Sequence, residues 1–178
     1  MGPPPADTAL APPFGVALAG FMASGKSTVG KRVAEHLDLP FVDLDTRVCA
    51  LASGRTVPQI FAEEGEAGFR RRELEALRQV CEEPPAVVAL GGGTVLLPKA
   101  PAILARRMVV VVLEVPWTVV EARLVGDRER PLAGQAATRF RQRVGAYAEA
   151  GVGVDGVGTV DEVALRVIAA WRQACASR

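Results

Sequence analysis

The chain has 178 residues and a mass of 18.7 kDa, the size of one ordinary domain. Hydrophobic residues at 49% and charged residues at 23% exclude disordered, collagen-like and coiled-coil classes. Twenty-one Lys and Arg against twenty Asp and Glu leave a net charge of +1, which provides no global field to draw in nucleic acid or anionic lipid.

Residues 1–13 form a Pro- and Ala-rich lead-in expected to be disordered, and 14–178 a single domain. No apolar run approaches the roughly twenty residues of a membrane helix. Cys49, Cys81 and Cys175 are odd in number, widely spaced and without a CxxC pair, so neither a disulfide framework nor a zinc site is expected, and a cytoplasmic location is. Strands are predicted at Gly15–Ala19, Pro40–Asp43, Ala86–Leu90, Met108–Leu113 and Gly151–Asp155, the VVVVL of the fourth being apolar enough for burial on both faces. Between them, Lys26–Leu37 and Thr118–Leu124 are predicted helices, as is Gly65–Cys81, with Leu74, Leu77 and Cys81 on one face. In the last helix Val160, Val163, Ala164, Val167, Ile168 and Trp171 make a core-facing stripe. Such alternation predicts a parallel α/β sheet of five strands. Val125 to Thr138 lacks periodicity and is expected to be a lid or a surface loop.

GFMASGKST, Gly20 to Thr28, matches GxxxxGK[ST] between a strand and a helix, the context in which backbone N–H groups and a helix N-terminus cradle polyphosphate. Gly20, Ala23, Ser24, Gly25, Lys26, Ser27 and Thr28 are therefore expected to contact ATP. Lys26 would reach the β- and γ-phosphates, Ser27 would ligate Mg²⁺, and Thr28 would support the loop from within the helix turn. Asp43 and Asp45, at the C-terminal end of the second strand, share a face because side chains alternate along a strand, so one could serve Mg²⁺ while the other accepts a hydrogen bond from the attacking hydroxyl. A capping or turn role fits the same two residues. Arg70 and Glu73 are three apart on a helix and can pair, presenting a guanidinium fork to a carboxylate, although a solvated charge run has the same pattern. Gly91, Gly92 and Gly93 follow the third strand and permit close approach of a ligand, or else an unusual loop conformation. From Arg123 to Arg143 six Arg face only Asp127 and Glu129, a local excess suited to an active site with two anionic substrates.

Taken together, GFMASGKSTVG, FVDLD, IFAEEGEAGFRRRE, LGGGTV, RPLAG and RVGAY, in this order, resemble shikimate kinase. The resemblance implies a five-stranded parallel sheet of order 2-3-1-4-5 flanked by helices, of the nucleoside-monophosphate-kinase type, and transfer of the γ-phosphoryl of ATP to the 3-hydroxyl of shikimate. By the same resemblance Asp45 is the catalytic aspartate and Asp43 helps hold Mg²⁺ through water. Arg70 and Arg143 clamp the substrate carboxylate with Glu73 orienting Arg70, and Gly91, Gly92 and Gly93 contact the ring. Arg130 is the lid arginine over the transferring phosphate, and Arg123 packs on adenine. Two departures stand out: Ala23 replaces a loop Gly, and the segment VDGVGTVDEV after the last strand lacks the basic residue and Pro of the family's adenine loop. Other readings are a kinase for quinate, aminoshikimate or gluconate, and a non-catalytic nucleotide-binding relative. A monomer is the default expectation, with no nucleic-acid or membrane partner.

Overall fold

The computed structural model describes residues 14–125 and 133–178. Its elements are β1 (Gly15–Ala19), α1 (Lys26–Leu37), β2 (Phe41–Asp43), α2 (Leu44–Leu51), α3 (Val57–Glu82), β3 (Val87–Ala89), α4 (Ala100–Leu104), β4 (Met108–Glu114), α5 (Trp117–Val125), α6 (Ala133–Ala150), β5 (Val152–Asp155) and α7 (Val160–Ala176). The strands form one parallel sheet in the order β2-β3-β1-β4-β5.

Alternation along the strands divides the core in two. Val16, Leu18, Val87, Val109 and Val111 point to one face, where Val29 and Val33 of α1 and Val163, Val167 and Trp171 of α7 cover them. Ala17, Ala19, Val88 and Val112 point to the other, under Val48 of α2, Leu77 of α3, Leu104 of α4 and Val120 of α5. Covering both faces explains why β4 is a nearly unbroken apolar run rather than an alternating one. Trp171 donates its indole N–H to Phe14 O at 3.3 Å, whereas Trp117 at the start of α5 lies against Phe140 of α6 with ring centroids 5.5 Å apart.

All five predicted strands are present, with small differences at their ends. The helices differ more. Leu44–Leu51 is a helix that short-range periodicity did not reveal; Asp43 caps it, its side chain accepting from the N–H groups of Asp45 and Thr46. The long helix begins eight residues before Gly65, at Val57, where Thr56 and Gln59 make a reciprocal capping box. Gly65, at φ 67° and ψ −177°, interrupts it, so the predicted start coincides with a kink inside a longer helix. The expected lid at 125–138 is corrected at both ends: Val125 closes α5, and 133–138 belong to α6. Its middle, 126–132, and the expected lead-in lie outside the described residues.

Close docking of α1 on the sheet depends on Gly30. A Cβ there would stand 2.7 Å from the Phe41 ring and 3.1 Å from Leu18 Cδ1. Gly30→Ala should therefore lower stability by about 1–2 kcal/mol, overpacking outweighing the gain in helix propensity. Thermal and urea unfolding would check this; a variant as stable as the parent would mean that Phe41 swings clear at no cost.

Candidate active site

β1 and β3 are neighbours, but the chain leaves them toward opposite faces, to α1 on one side and to Val95 and α4 on the other. The turns after these strands therefore part and leave a crevice at the C-terminal edge of the sheet, the usual ligand position in open α/β folds. A cleft of about 490 Å³ occupies it, running from Asp45 and Gly91, past Lys26 and Ser27, to Arg123, Gly156 and Val160.

The phosphate-loop residues sit as their spacing predicts. Gly25 caps α1 at φ 99°, and the first turn of the helix, with Lys26, Ser27 and Thr28, opens onto the cleft. Lys26 Nζ donates to Gly20 O at 3.0 Å and Phe21 O at 2.8 Å, which bends the side chain back along the loop. Ala23 has φ 59°, in the left-handed region that costs an L-residue about 1–2 kcal/mol. Arg123 Nη1 donates to Ala23 O at 3.0 Å and so ties α5 to the loop at that residue. Ser24 is buried, its N–H donates to Phe21 O, and its Oγ has no hydrogen-bond partner among the described residues.

Asp43 and Asp45 both line the cleft, but not because they alternate along one strand. β2 ends at Asp43, and Asp45 lies in the first turn of α2. Asp43 Oδ1 accepts from the N–H groups of Asp45 and Thr46 at 3.1 and 3.3 Å, while Oδ2 accepts from Ser27 Oγ at 2.9 Å. The cap thus aims a carboxylate oxygen at the Ser27 hydroxyl, joining two hard oxygen donors beside the phosphate loop. Such a pair fits Mg²⁺, which is bound through one or two carboxylates plus substrate phosphates rather than an all-protein cage.

At the far end, Gly91, Gly92 and Gly93 let charged side chains come close to the backbone. A Cβ on Gly91 would lie 2.6 Å from Glu73 Oε1 and 2.9 Å from Asp45 Oδ1, and one on Gly93 would lie 2.9 Å from Arg70 Nη1. Arg70 Nη1 donates to Glu73 Oε2 at 2.6 Å and Nη2 to Glu66 Oε1 at 3.2 Å. Arg143 Nη1 donates to Gly92 O at 3.2 Å, and the Tyr147 hydroxyl donates to the same carbonyl. Arg70 from α3 and Arg143 from α6 therefore converge on one glycine turn. Arg130 lies outside the described residues.

The family model for shikimate kinase matches residues 22–168. The chain belongs to the shikimate kinase family. Membership makes it an ATP-using phosphotransferase of the shikimate pathway. It is 44% identical over 148 residues to shikimate kinase from Aromatoleum aromaticum, across 79% of this chain and 84% of the relative. Shikimate kinase from Acinetobacter baumannii, solved in complex with shikimate, superposes at a TM-score of 0.79 with 30% identity, over 86% of this chain and 90% of that one. A gluconokinase from Sinorhizobium meliloti superposes at 0.64 with 18% identity over 94% and 97%, which shows a shared fold alone.

Within this family frame several residues of the cleft went unrecognised in the sequence. Val160 was assigned to the core stripe, yet it is exposed and lines the cleft with Gly156 and Gly158; Val163, buried in the core as expected, borders the cleft too. The capping box of Thr159 and Glu162 explains it: α7 starts at Val160, so its first turn meets the cleft before its stripe reaches the sheet. Thr94 and Tyr147, which lie within the motifs LGGGTV and RVGAY but were given no role, contact Glu73 and Gly92 respectively. Arg72, two residues on from Arg70 in the same charged run, is half-buried and pairs with Glu64 at 2.7 Å.

Asp45 presents open surface to the cleft, yet protein surrounds most of its carboxyl. Burial is the main reason its pKa lies above the ordinary carboxylate value, with Glu73 and Asp43 adding to the shift and Lys26 and Arg70 opposing it. A carboxyl whose folded pKa is raised destabilises the fold above its unfolded pKa, because folding must hold the charge where it is disfavoured. Asp45→Asn should consequently melt at an equal or higher temperature than the parent at pH 7, while turnover falls at least about 10³-fold. The thermal gain should shrink as pH falls and the parent Asp45 takes up its proton; melts across a pH series, with an assay at pH 7, check both parts. Ala23→Gly should leave stability within about 1 kcal/mol of the parent, since relief of the left-handed backbone is offset by glycine's chain entropy. Nucleotide titration should find ATP affinity little changed, because Arg123 already holds the loop at that residue.

Proposed function

We propose that the chain transfers the γ-phosphoryl of ATP to the 3-hydroxyl of shikimate, and that 14–178 work as one domain. The observation that carries this reading is the convergence of Arg70 and Arg143 on the Gly91–Gly93 turn, at the end of the cleft that also holds Asp45. Two guanidinium groups suit a carboxylate, and a carboxylate beyond the phosphate loop places a hydroxy acid, not water or a second nucleotide, in the acceptor position. The shikimate complex of the Acinetobacter baumannii relative supports the same acid.

ATP would lie with its phosphates over the loop from Gly20 to Thr28, with Ala23, Ser24 and Gly25 shaping its curve. Lys26 would exchange the carbonyls of Gly20 and Phe21 for phosphate oxygens. The base would rest toward Val160 and Val163, opposite Arg123, where the chain has apolar side chains and glycines in place of the family's basic residue and Pro. Ser27 and Asp43 would hold Mg²⁺, directly or through water, and the ion supplies neutralisation of phosphate charge. Asp45 orients the acceptor hydroxyl and takes its proton. Its raised pKa, caused mainly by burial, improves it as a base. Glu73 holds Arg70, Gly91 to Gly93 let the ring approach the backbone, and Arg143 completes the clamp. For Arg130, the RPL motif supports a role over the transferring phosphate. Positioning and charge stabilisation account for the catalysis, as phosphoryl transfer requires little covalent help.

Three free cysteines support a reducing, cytoplasmic setting, and no helix among the described residues is long and apolar enough to cross a membrane. Exposed large apolar side chains such as Leu51, Val144 and Leu165 stand on different helices, which supports a monomer.

Coupled ADP release with ATP, Mg²⁺ and each candidate acid tests the reading. Turnover should depend on shikimate and exceed that with quinate, aminoshikimate or gluconate. Arg143→Met should raise the KM for shikimate at least about tenfold and leave that for ATP within about threefold. Higher kcat/KM on gluconate, or ADP release indifferent to any acid, would overturn it.

A further inference from the structure

Glu73 is the only fully buried charged side chain among the described residues. Its two oxygens have separate partners. Oε2 accepts from Arg70, and Oε1 accepts from the Thr94 hydroxyl. Thr94 is itself fully buried and belongs to a rigid turn: its N–H donates to Gly91 O at 3.1 Å and its carbonyl accepts from Leu97 at 3.1 Å. Oε1 is wedged against the backbone, since a Cβ on Gly91 would stand 2.6 Å from it and 3.0 Å from Thr94 Oγ1. The same Cβ would lie 2.9 Å from Asp45 Oδ1, so the Asp45 and Glu73 carboxylates crowd one spot on Gly91 with the Thr94 hydroxyl beside them.

We propose that Thr94 is a positioning residue for the acid-binding end of the cleft: its hydroxyl fixes the buried Glu73 carboxylate, and Glu73 in turn fixes the Arg70 fork that receives the substrate's carboxylate. The inference rests on the proposed function for the role of Arg70. Arg70's other anchor, Glu66, is well exposed at 70% and forms a longer bond, so it cannot hold the fork rigidly in water. Without the hydroxyl, Oε1 would be a buried acceptor with no donor, facing the like charge of Asp45. The carboxylate would then turn away from Asp45, and the Arg70 bond, made by the other oxygen of the same rigid group, would turn with it. Such a loss acts on recognition of the acid more than on ATP, whose phosphates meet the separate loop after β1 and whose base rests toward Val160 and Val163.

The test compares shikimate with its carboxamide, which keeps the ring and hydroxyls but removes the charge that Arg70 receives. In the parent, kcat/KM should favour the acid. Thr94→Val, nearly isosteric, should raise the KM for shikimate roughly tenfold, leave the KM for ATP and kcat within about threefold, and cut the acid-to-amide ratio by a similar factor. Thr94→Ser should restore the ratio to within about threefold of the parent. The ratio is independent of how much enzyme is folded, so a merely structural loss of activity does not move it; Thr94→Ala gives the same comparison if valine does not fit. A hydroxyl-free variant that keeps the parent's acid-to-amide ratio overturns the proposal and leaves the Arg70 assignment intact. A parent with no preference for the acid removes the Arg70 clamp and the role of Thr94 together.

Discussion

The active site exists because two adjacent strands send their chains to opposite faces of the sheet. β1 and β3 are paired in register, and the parting of the turns that follow them opens the cleft. Everything chemical is then a matter of how close a side chain can come to those two turns. After β1 the constraint is met by backbone conformations that glycine favours, and after β3 by the absence of side chains where Glu73, Asp45 and Arg70 press in. The sheet supplies a rigid edge, and small residues let reactive groups gather on it.

Local hydrogen bonding then sets the direction of each group. Asp43 spends one oxygen on capping α2, which leaves the other toward Ser27. Glu73 divides its oxygens between Thr94 and Arg70. Arg123 reaches from α5 to the loop carbonyl of Ala23. In each case a fixed backbone group or buried hydroxyl determines where a charge points before any substrate arrives, which is the preorganisation that electrostatic catalysis needs.

Much of this was legible in the sequence, for identifiable reasons. Strands buried on both faces are written as runs of Val, and the phosphate loop has fixed spacing, so the sheet, α1 and the residues Gly20 to Thr28 could be placed directly. The convergence of Arg70 and Arg143 was predictable only through motif order, because no local periodicity relates a residue of α3 to one of α6. α2 was missed because its eight residues, LDTRVCAL, begin immediately after a strand and owe their start to one aspartate cap. That omission also gave the wrong reason for Asp45 facing Asp43, although the two residues do share the cleft. Val160 was misplaced because a stripe says which residues lie on one face of a helix, not which neighbour that face meets at its end.

The two tryptophans stand on opposite sides of this architecture. Trp171 is sealed in the layer of α1 and α7 with its indole N–H bonded to Phe14 O, while Trp117 is half-exposed against Phe140, where α5 meets α6. Their emission is therefore separable: a blue, quencher-resistant band from the first and a redder, quenchable one from the second. Because α5 carries Arg123 and α6 carries Arg143, the second band is a built-in optical gauge of how the helices bearing those two arginines meet, readable without attaching a dye.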